Sequence, residues 1–302
     1  MKIVWYTTIG VDDAKKLSNR FEEIYPFIKV ETSRLGADKL LNRVLAEARA
    51  GRHSYDVNDN GVSEFEILIS KGFIAKYLSP QMKFYPEDHR HPEGYWTGIY
   101  SNQIVVAYNT GLVSPREVPK TYKELLDPKW KGKMGMDTRS YYWFSIMMKI
   151  MGGEEKGLQY MKKLSEQNIS FRRGRNLITI LVSAGEMSIG IGLYNHAVEQ
   201  LKEKGAPIEW FAIEPVIVKT HPTGISSHPP HPNAARLFLD FLLSREGQKV
   251  ISSVYRIPTR TDVDAIAPGL KIEDKKTFPL DLSVAKDFER HVKLFRKVLM
   301  KK

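Results

Sequence analysis

The chain has 302 residues, 42% of them hydrophobic and 27% charged, with a formal net charge of +11. This is an ordinary globular balance, long enough to divide its core between two domains, and it contains no apolar run long enough to cross a membrane. The absence of cysteine excludes disulfides, thiolate metal sites and cysteine nucleophiles together.

The elements can be read in order. Lys2 to Thr8 is β-rich. From Val11 to Tyr25, Ala14, Leu17, Phe21 and Ile24 recur at helical spacing, and Pro26 stops the helix. Ile28 to Thr32 reads as a strand. Asp38 to Ala50 reads as a helix with Leu40, Leu41, Val44, Leu45 and Ala48 inward. A strand at 55–57 and a short helix from Ser63 to Ser70 follow. Strand alternating with helix predicts a mainly parallel sheet with helical crossovers. Ligands of such sheets sit beyond the carboxyl ends of the strands. Three loops are therefore candidates: Thr7-Thr8-Ile9, Arg34-Leu35-Gly36 and Asn58-Asp59-Asn60. Thr7 and Thr8 place hydroxyls ahead of a helix N-terminus, whose backbone N–H groups suit an anion. Each of these residues serves equally well as a cap or turn former.

Ile104 to Tyr108 is a strand, and Pro119 to Asp127 reads as a capped helix ended by Pro128. Met134 to Asp137 opens a second sheet. Thr138-Arg139-Ser140 then leads a helix carrying Tyr141, Tyr142 and Trp143. Glu154 to Glu166 is a helix and Ile169 to Arg172 a strand. Asn176 to Ala184 is a helix with Leu177, Ile180 and Leu181 inward. Met187 to Leu193 is a strand, and Tyr194 to Ala197 leads into a helix from Val198 to Lys204. Residues 207–218 return to the first half of the molecule. Near the C-terminus, Val284 to Met300 forms a last helix with Phe288, Val292, Phe295 and Leu299 inward. Between these, Pro229, Pro230 and Pro232 clear the start of a helix that Asn233 is placed to cap. Leu237, Phe238, Phe241 and Leu242 share one face of it.

That last stretch carries a family likeness. His231-Pro-Asn-Ala-Ala, the apolar helix, Leu242-Leu-Ser-Arg-Glu-Gly-Gln248 and then Ile257-Pro-Thr-Arg260 resemble the C-terminal signature of extracellular solute-binding proteins of ABC importers. The ferric-ion- and phosphonate-binding branch is the most similar group. Tyr108-Asn109-Thr110 and the run from Pro119 to Met134 match it too. The resemblance implies an α/β, two-lobed periplasmic-binding-protein type II fold. Each lobe would be a mainly parallel sheet flanked by helices, with a hinge of two crossover strands. Residues 1–104 with 217–275 would form the first lobe and 105–216 the second, with 276–302 assigned to neither. It further implies a periplasmic or extracellular monomer, its export leader trimmed from this chain. Such a protein captures a small solute in the interlobe cleft by hinge closure and delivers it to a membrane permease, with no cofactor and no catalysis.

Three loops of the second lobe supply the chemistry. Arg139, Arg173 and Arg175 all fall on strand-to-helix turns. Guanidinium forks match carboxylate or phosphate oxygens with paired hydrogen bonds, and helix N-termini add partial positive charge. A solvated basic turn is the plainer alternative, and strand alternation assigns it to Arg172. The preferred ligand is a small organic anion such as a phosphonate, phosphate ester or carboxylate. The candidate binding residues are Thr7, Thr8, Gly36, Asn58, Asp59, Arg139, Ser140, Tyr141, Arg173, Arg175, Tyr194 and His196. Ferric ion is the alternative cargo. The resemblance implies two adjacent tyrosines for iron, and this chain has His196 and Ala197 there, with Ile9 or Gly10 where a histidine is expected. Tyr194, Tyr141 and His196 would have to form a different metal set. His89, His91, His221, His228 and His231 stand among prolines and read as loop residues. The basic residues are scattered without interleaved aromatics, the pattern of a solvated surface rather than a nucleic-acid site. No Gly-x-Ser-x-Gly, P-loop or His-Glu-x-x-His motif is present.

Overall fold

The computed structural model describes residues 1–302 apart from 271, 273, 279–281 and 301–302. In chain order the strands are β1 Lys2–Thr7, β2 Lys29–Arg34, β3 Val57–Asp59, β4 Thr97–Asn109, β5 Met134–Asp137, β6 Ser170–Arg172, β7 Ile189–Tyr194, β8 Ile208–Phe211, β9 Val216–Ile225, β10 Ile257–Pro258 and β11 Thr277–Phe278. The α-helices are α1 Val11–Ile24, α2 Ala37–Arg49, α3 Val62–Ser70, α4 Tyr141–Ile150, α5 Glu154–Ser165, α6 Arg175–Ser183, α7 Asn195–Lys202, α8 Pro232–Leu243, α9 Arg245–Ser253 and α10 Phe288–Leu299. The chain divides into two compact units. Unit 1 is Met1–Ser101 with Thr220–Lys271, and unit 2 is Asn102–Lys219 with Ile272–Lys302. The divisions fall inside β4 and β9, so both of these strands belong to both units.

In unit 1, β1 pairs in parallel with β2 and β3, and β3 pairs antiparallel with the end of β9. Helix α8 packs on this sheet although some two hundred residues separate it from β1. Phe238 meets Trp5 at 5.3 Å and Phe21 at 4.9 Å, edge to face in both cases. Alternation along β1 buries Ile3 and Trp5 on that face. The buried Asp56 fixes the entry to α8. Its carboxylate accepts from Val4 N (2.8 Å) and from His231 N (2.6 Å) and lies 3.1 Å from His231 Nδ1. His231 is thus the residue before the helix and Pro232 its first, where a missing N–H costs nothing. The expectation that Asn233 caps α8 is corrected: it lies inside the first turn. Leu237 is only half-buried, whereas Phe238, Phe241 and Leu242 are buried.

In unit 2, β5 lies between β6 and β7, parallel to both, and β7 pairs antiparallel with β4. Helix α10 packs against α4 and α5, with Phe295 and Leu299 in a core shared with Phe144, Tyr160 and Met161. The C-terminal helix therefore belongs to unit 2. Two expectations fail here. Residues 119–127 form no α-helix, only a short 3-10 turn at Glu124–Leu126, and Pro128–Trp130 make another. In α6 the buried residues are Ile178, Thr179 and Val182, while Leu177 is 43% and Ile180 50% exposed. The run Leu-Ile-Thr-Ile-Leu-Val has no polar face from which the phase of burial could be read.

Burial lowers the pKa of His291, whose Nδ1 lies 2.9 Å from Ser145 Oγ. The unfolded chain then binds a proton more readily than the folded one. The stability linked to this site is complete above the ordinary histidine value, about 6.5, and is lost as pH falls below it. We expect the melting temperature to drop between roughly pH 7.5 and 5.5, and His291→Gln to flatten part of that drop. An unchanged slope in the variant would show that other groups set the dependence.

Candidate anion site

In unit 2 the parallel strands β5, β6 and β7 run to Asp137, Arg172 and Tyr194, and each is followed by the start of a helix: α4, α6 and α7. None of the three helices has a side-chain cap. Their first N–H groups lack intrahelical acceptors and carry the positive end of the helix dipole. One carboxylate organises the turns. Asp137 is 2% exposed, and its Oδ1 accepts from Arg139 N (3.2 Å) and Gly174 N (3.1 Å). Arg139 Nε stands 3.8 Å from Oδ1 and Arg175 Nη1 stands 3.8 Å from Oδ2. Arg175 is further held by Nε donating to Gly192 O at 2.9 Å. Gly192 has φ 73°, a conformation that favours glycine within a strand. The Arg175 guanidinium lies 4.9 Å over the Tyr194 ring, and Tyr194 stacks on His196 with centroids 5.6 Å apart. Ser140 is fully buried, and no described residue partners its Oγ. Arg173 is exposed on the turn before α6.

The structure thus joins Arg139, Ser140 and Arg175 at Asp137, which the sequence alone did not single out, with Tyr194 under Arg175 and His196 stacked on Tyr194. One carboxylate against the two guanidinium groups it orients leaves net positive charge beside these helix N-termini. Tyr141 does not join them. Its ring meets Phe295 at 5.3 Å, and its hydroxyl accepts from Arg296 Nη2 at 3.1 Å. Consecutive helical residues point about 100° apart, so the neighbouring Tyr142 instead lies beneath the Lys219 ammonium, 5.4 Å from ring centroid to Nζ.

Unit 1 has its own polar cluster. Asp59 Oδ1 accepts from Thr8 N (3.1 Å) and lies 2.9 Å from His221 Nε2. Thr8 Oγ1 is 2.8 Å from the same nitrogen. His221 stacks on Tyr100 with centroids 4.6 Å apart, and Arg256 lies 4.4 Å over the Tyr100 ring. Arg256 Nη2 donates to Asp13 Oδ2 at 2.9 Å. Burial opposes the Arg256 charge, but Tyr100, Asp13 and Asp59 outweigh it and raise its pKa. Several expectations change. Asn58 and Asp59 belong to β3 rather than to a loop. Thr7 is buried and its Oγ1 accepts from Ile9 N at 3.0 Å, so that hydroxyl closes the turn instead of facing a ligand. His221 is a buried strand residue, not a loop histidine. Gly36 precedes α2, where its carbonyl accepts from Leu40 N. Asn58 is fully buried, and neither atom of its amide has a partner among the described residues. In unit 2, Asn195 and His196 occupy the first turn of α7, which starts three residues earlier than its apolar pattern suggests. Among the described residues, no three His, Cys, Asp or Glu side chains group as a metal site.

The fold is that of the two-lobed α/β periplasmic binding proteins. Iron-bound HitA from Pseudomonas aeruginosa matches 99% of both chains with a TM-score of 0.88 at 22% identity. AfuA from Actinobacillus pleuropneumoniae with fructose-6-phosphate bound matches 100% of this chain and 99% of its own, with a TM-score of 0.89 at 22% identity. A model of the family described as bacterial extracellular solute-binding protein matches residues 62–280, and the chain belongs to that family. Among curated relatives, Iron uptake protein A1 of Synechocystis is 28% identical over 183 residues, which is 55% of this chain and 50% of that protein. The Fe(3+)-binding periplasmic protein of Serratia marcescens is 21% identical over 234 residues, 74% of this chain and 68% of that protein. The matched stretch thus spans half the length of the first relative and about two thirds of the second.

Proposed function

We propose that this protein is the solute-capturing component of an ABC importer, binding without catalysis as a monomer and handing its solute to a membrane permease. Its solute is a small organic anion, a phosphate ester, phosphonate or carboxylate. The observation that carries this reading is the Asp137-centred pair of Arg139 and Arg175 at three uncapped helix starts. A buried carboxylate that orients two guanidinium groups fixes their forks before a ligand arrives, which lowers the ordering cost of binding. AfuA, with fructose-6-phosphate bound, shows that a protein of this fold accommodates an organic phosphate.

Iron is the second reading, favoured by the names of the Synechocystis and Serratia relatives and by iron-bound HitA. A hard ferric ion needs anionic oxygen donors, and Ala197 offers none where the resemblance implies a tyrosine. Tyr194 and His196 remain the candidate donors.

One experiment separates the two. Thermal melts are recorded with phosphonates, phosphate esters, carboxylates, neutral sugars, polyamines and ferric citrate. A bound anion at 100 times its dissociation constant stabilises by about 2.7 kcal/mol, a readable shift. We expect at least one anion to give it and the sugars and polyamines not to. With ferric citrate the protein is expected to stay colourless. A strong visible band that Tyr194→Phe abolishes would make iron the cargo, and stabilisation by a sugar or polyamine alone would end the anion reading.

A further inference from the structure

Among the described residues, buried lysines and arginines have carboxylate partners, with one exception. Arg256 bonds Asp13, and Arg260 bonds Asp262. Lys219, in the part of β9 that belongs to unit 2, is 8% exposed, and among the described residues no carboxylate or hydrogen-bond acceptor reaches its ammonium. Its neighbour is the face of Tyr142 at 5.4 Å. A cation over an aromatic ring gains only about 0.5–2 kcal/mol, and this ammonium, on a largely buried side chain, has no counter-charge beside it among the described residues. Lysine is rarely so buried without a partner. By itself the arrangement leaves a positive charge with no acidic partner, which a solute anion would supply.

A second buried polar group lies on the same helix turn. Ser140, two residues before Tyr142, is fully buried with no described partner for its Oγ. A Cβ placed on Gly192 would lie 3.6 Å from that oxygen, and Gly192 O is the carbonyl that holds Arg175 Nε. The start of α4 thus carries both groups within one unit: Arg139 lies just before it and Lys219 lies over the ring of Tyr142, its second residue.

We propose that Lys219 is a second anion-reading residue, contacting an acidic group of the solute other than the one held by Arg139 and Arg175. The solute would then carry at least two acidic groups, as phosphorylated or phosphono carboxylic acids and polycarboxylates do. This rests on the anion reading above and narrows it from anions in general to multiply acidic ones.

The test is titration calorimetry with three two-acid probes, phosphonoacetate, 3-phosphoglycerate and citrate, and two single-acid probes, methylphosphonate and acetate. Wild type, Lys219→Met and Lys219→Arg are compared, and ligand-free melting is recorded for each. Wild type should bind one or more two-acid probes more tightly than either single-acid probe. Lys219→Met should weaken two-acid binding roughly tenfold to a hundredfold, the value of a charge-assisted hydrogen bond. Single-acid binding should stay nearly unchanged, and Lys219→Arg should recover most of the loss. The ligand-free Lys219→Met protein should melt no lower than wild type, because methionine fills the same space without a buried charge; a lysine serving only the fold would give the opposite. Undiminished two-acid binding in Lys219→Met, or equal loss for both probe classes with a lowered melting temperature, overturns the role of Lys219. Wild type preferring the single-acid probes overturns the two-acid class while leaving the anion reading intact. If no anion binds wild type, the anion reading itself fails and takes this inference with it.

Discussion

Phe238→Ala is expected to lower the stability of unit 1 by about 3–5 kcal/mol, the usual cost of deleting a fully buried phenylalanine. The Phe238 side chain is completely buried and fills the space between Trp5 of β1 and Phe21 of α1, with Phe241 beside them. None of these rings can move into the space without abandoning its own edge contacts, so little of the resulting cavity should collapse. Urea unfolding followed by tryptophan fluorescence reads the loss, with Trp5 as a local reporter. With two units present, the first transition is the one to fit, since two units can unfold in separate steps. Leu177→Ala is the matched control. At 43% exposure it should change stability by no more than about 0.5 kcal/mol. If Leu177→Ala costs as much as Phe238→Ala, the phase of α6 described above is wrong.

That contrast shows what could be read from the chain and what could not. Helix α8 was legible because Phe238, Phe241 and Leu242 alternate with Arg236 and Asp240, so the pattern has an inside and an outside. The strand-helix alternation and the family signature around residues 231–260 were legible for the same kind of reason, being local and ordered. Helix α6 offers no such contrast, and its packing on β7, β5 and α7 sets which side is buried. Residues 119–127 looked helical because Tyr122 and Leu125 are apolar and Pro128 supplies a stop. In the fold Tyr122 instead reaches the carbonyls of Ile213 and Pro215, which a regular helix there does not satisfy.

The candidate site was legible in part. Arg139, Arg175 and Tyr194 could be placed at strand ends from periodicity alone. Asp137 could not be given a role, because its value lies in joining two turns 37 residues apart. His221 was hidden by Pro222, which signals a loop. Strand β9 tolerates that proline and uses its carbonyl to accept from Asn60 N at 3.3 Å. Lys219 was invisible for a deeper reason: a lysine in a strand becomes informative only when its surroundings show that nothing of opposite charge comes with it.

Substitution of Arg175 should have the largest effect on binding. Its side chain is 15% exposed and is constrained at Nε by Gly192 O, at Nη1 by Asp137 and across its plane by Tyr194. This leaves the edge of the guanidinium bearing Nη2 for a solute oxygen. Arg175→Ala removes a charge-assisted contact of about 1.5–3 kcal/mol and should weaken binding of the anion found in the thermal panel by roughly tenfold to more than a hundredfold. The variant will also lose stability, because Asp137 is buried and gives up one of its cations. Asp137 keeps Arg139 and two backbone donors, so that loss should be about 1–2 kcal/mol rather than the 3–5 kcal/mol of a fully broken buried pair. Arg175→Lys separates the two effects. It retains a positive charge near Asp137 but cannot reproduce a planar fork that bonds Gly192 and a solute together. Its melting temperature should lie close to wild type while its affinity stays near that of the alanine variant. Full affinity in Arg175→Lys would reduce this residue to a general positive charge, and full affinity in Arg175→Ala would remove it from the site.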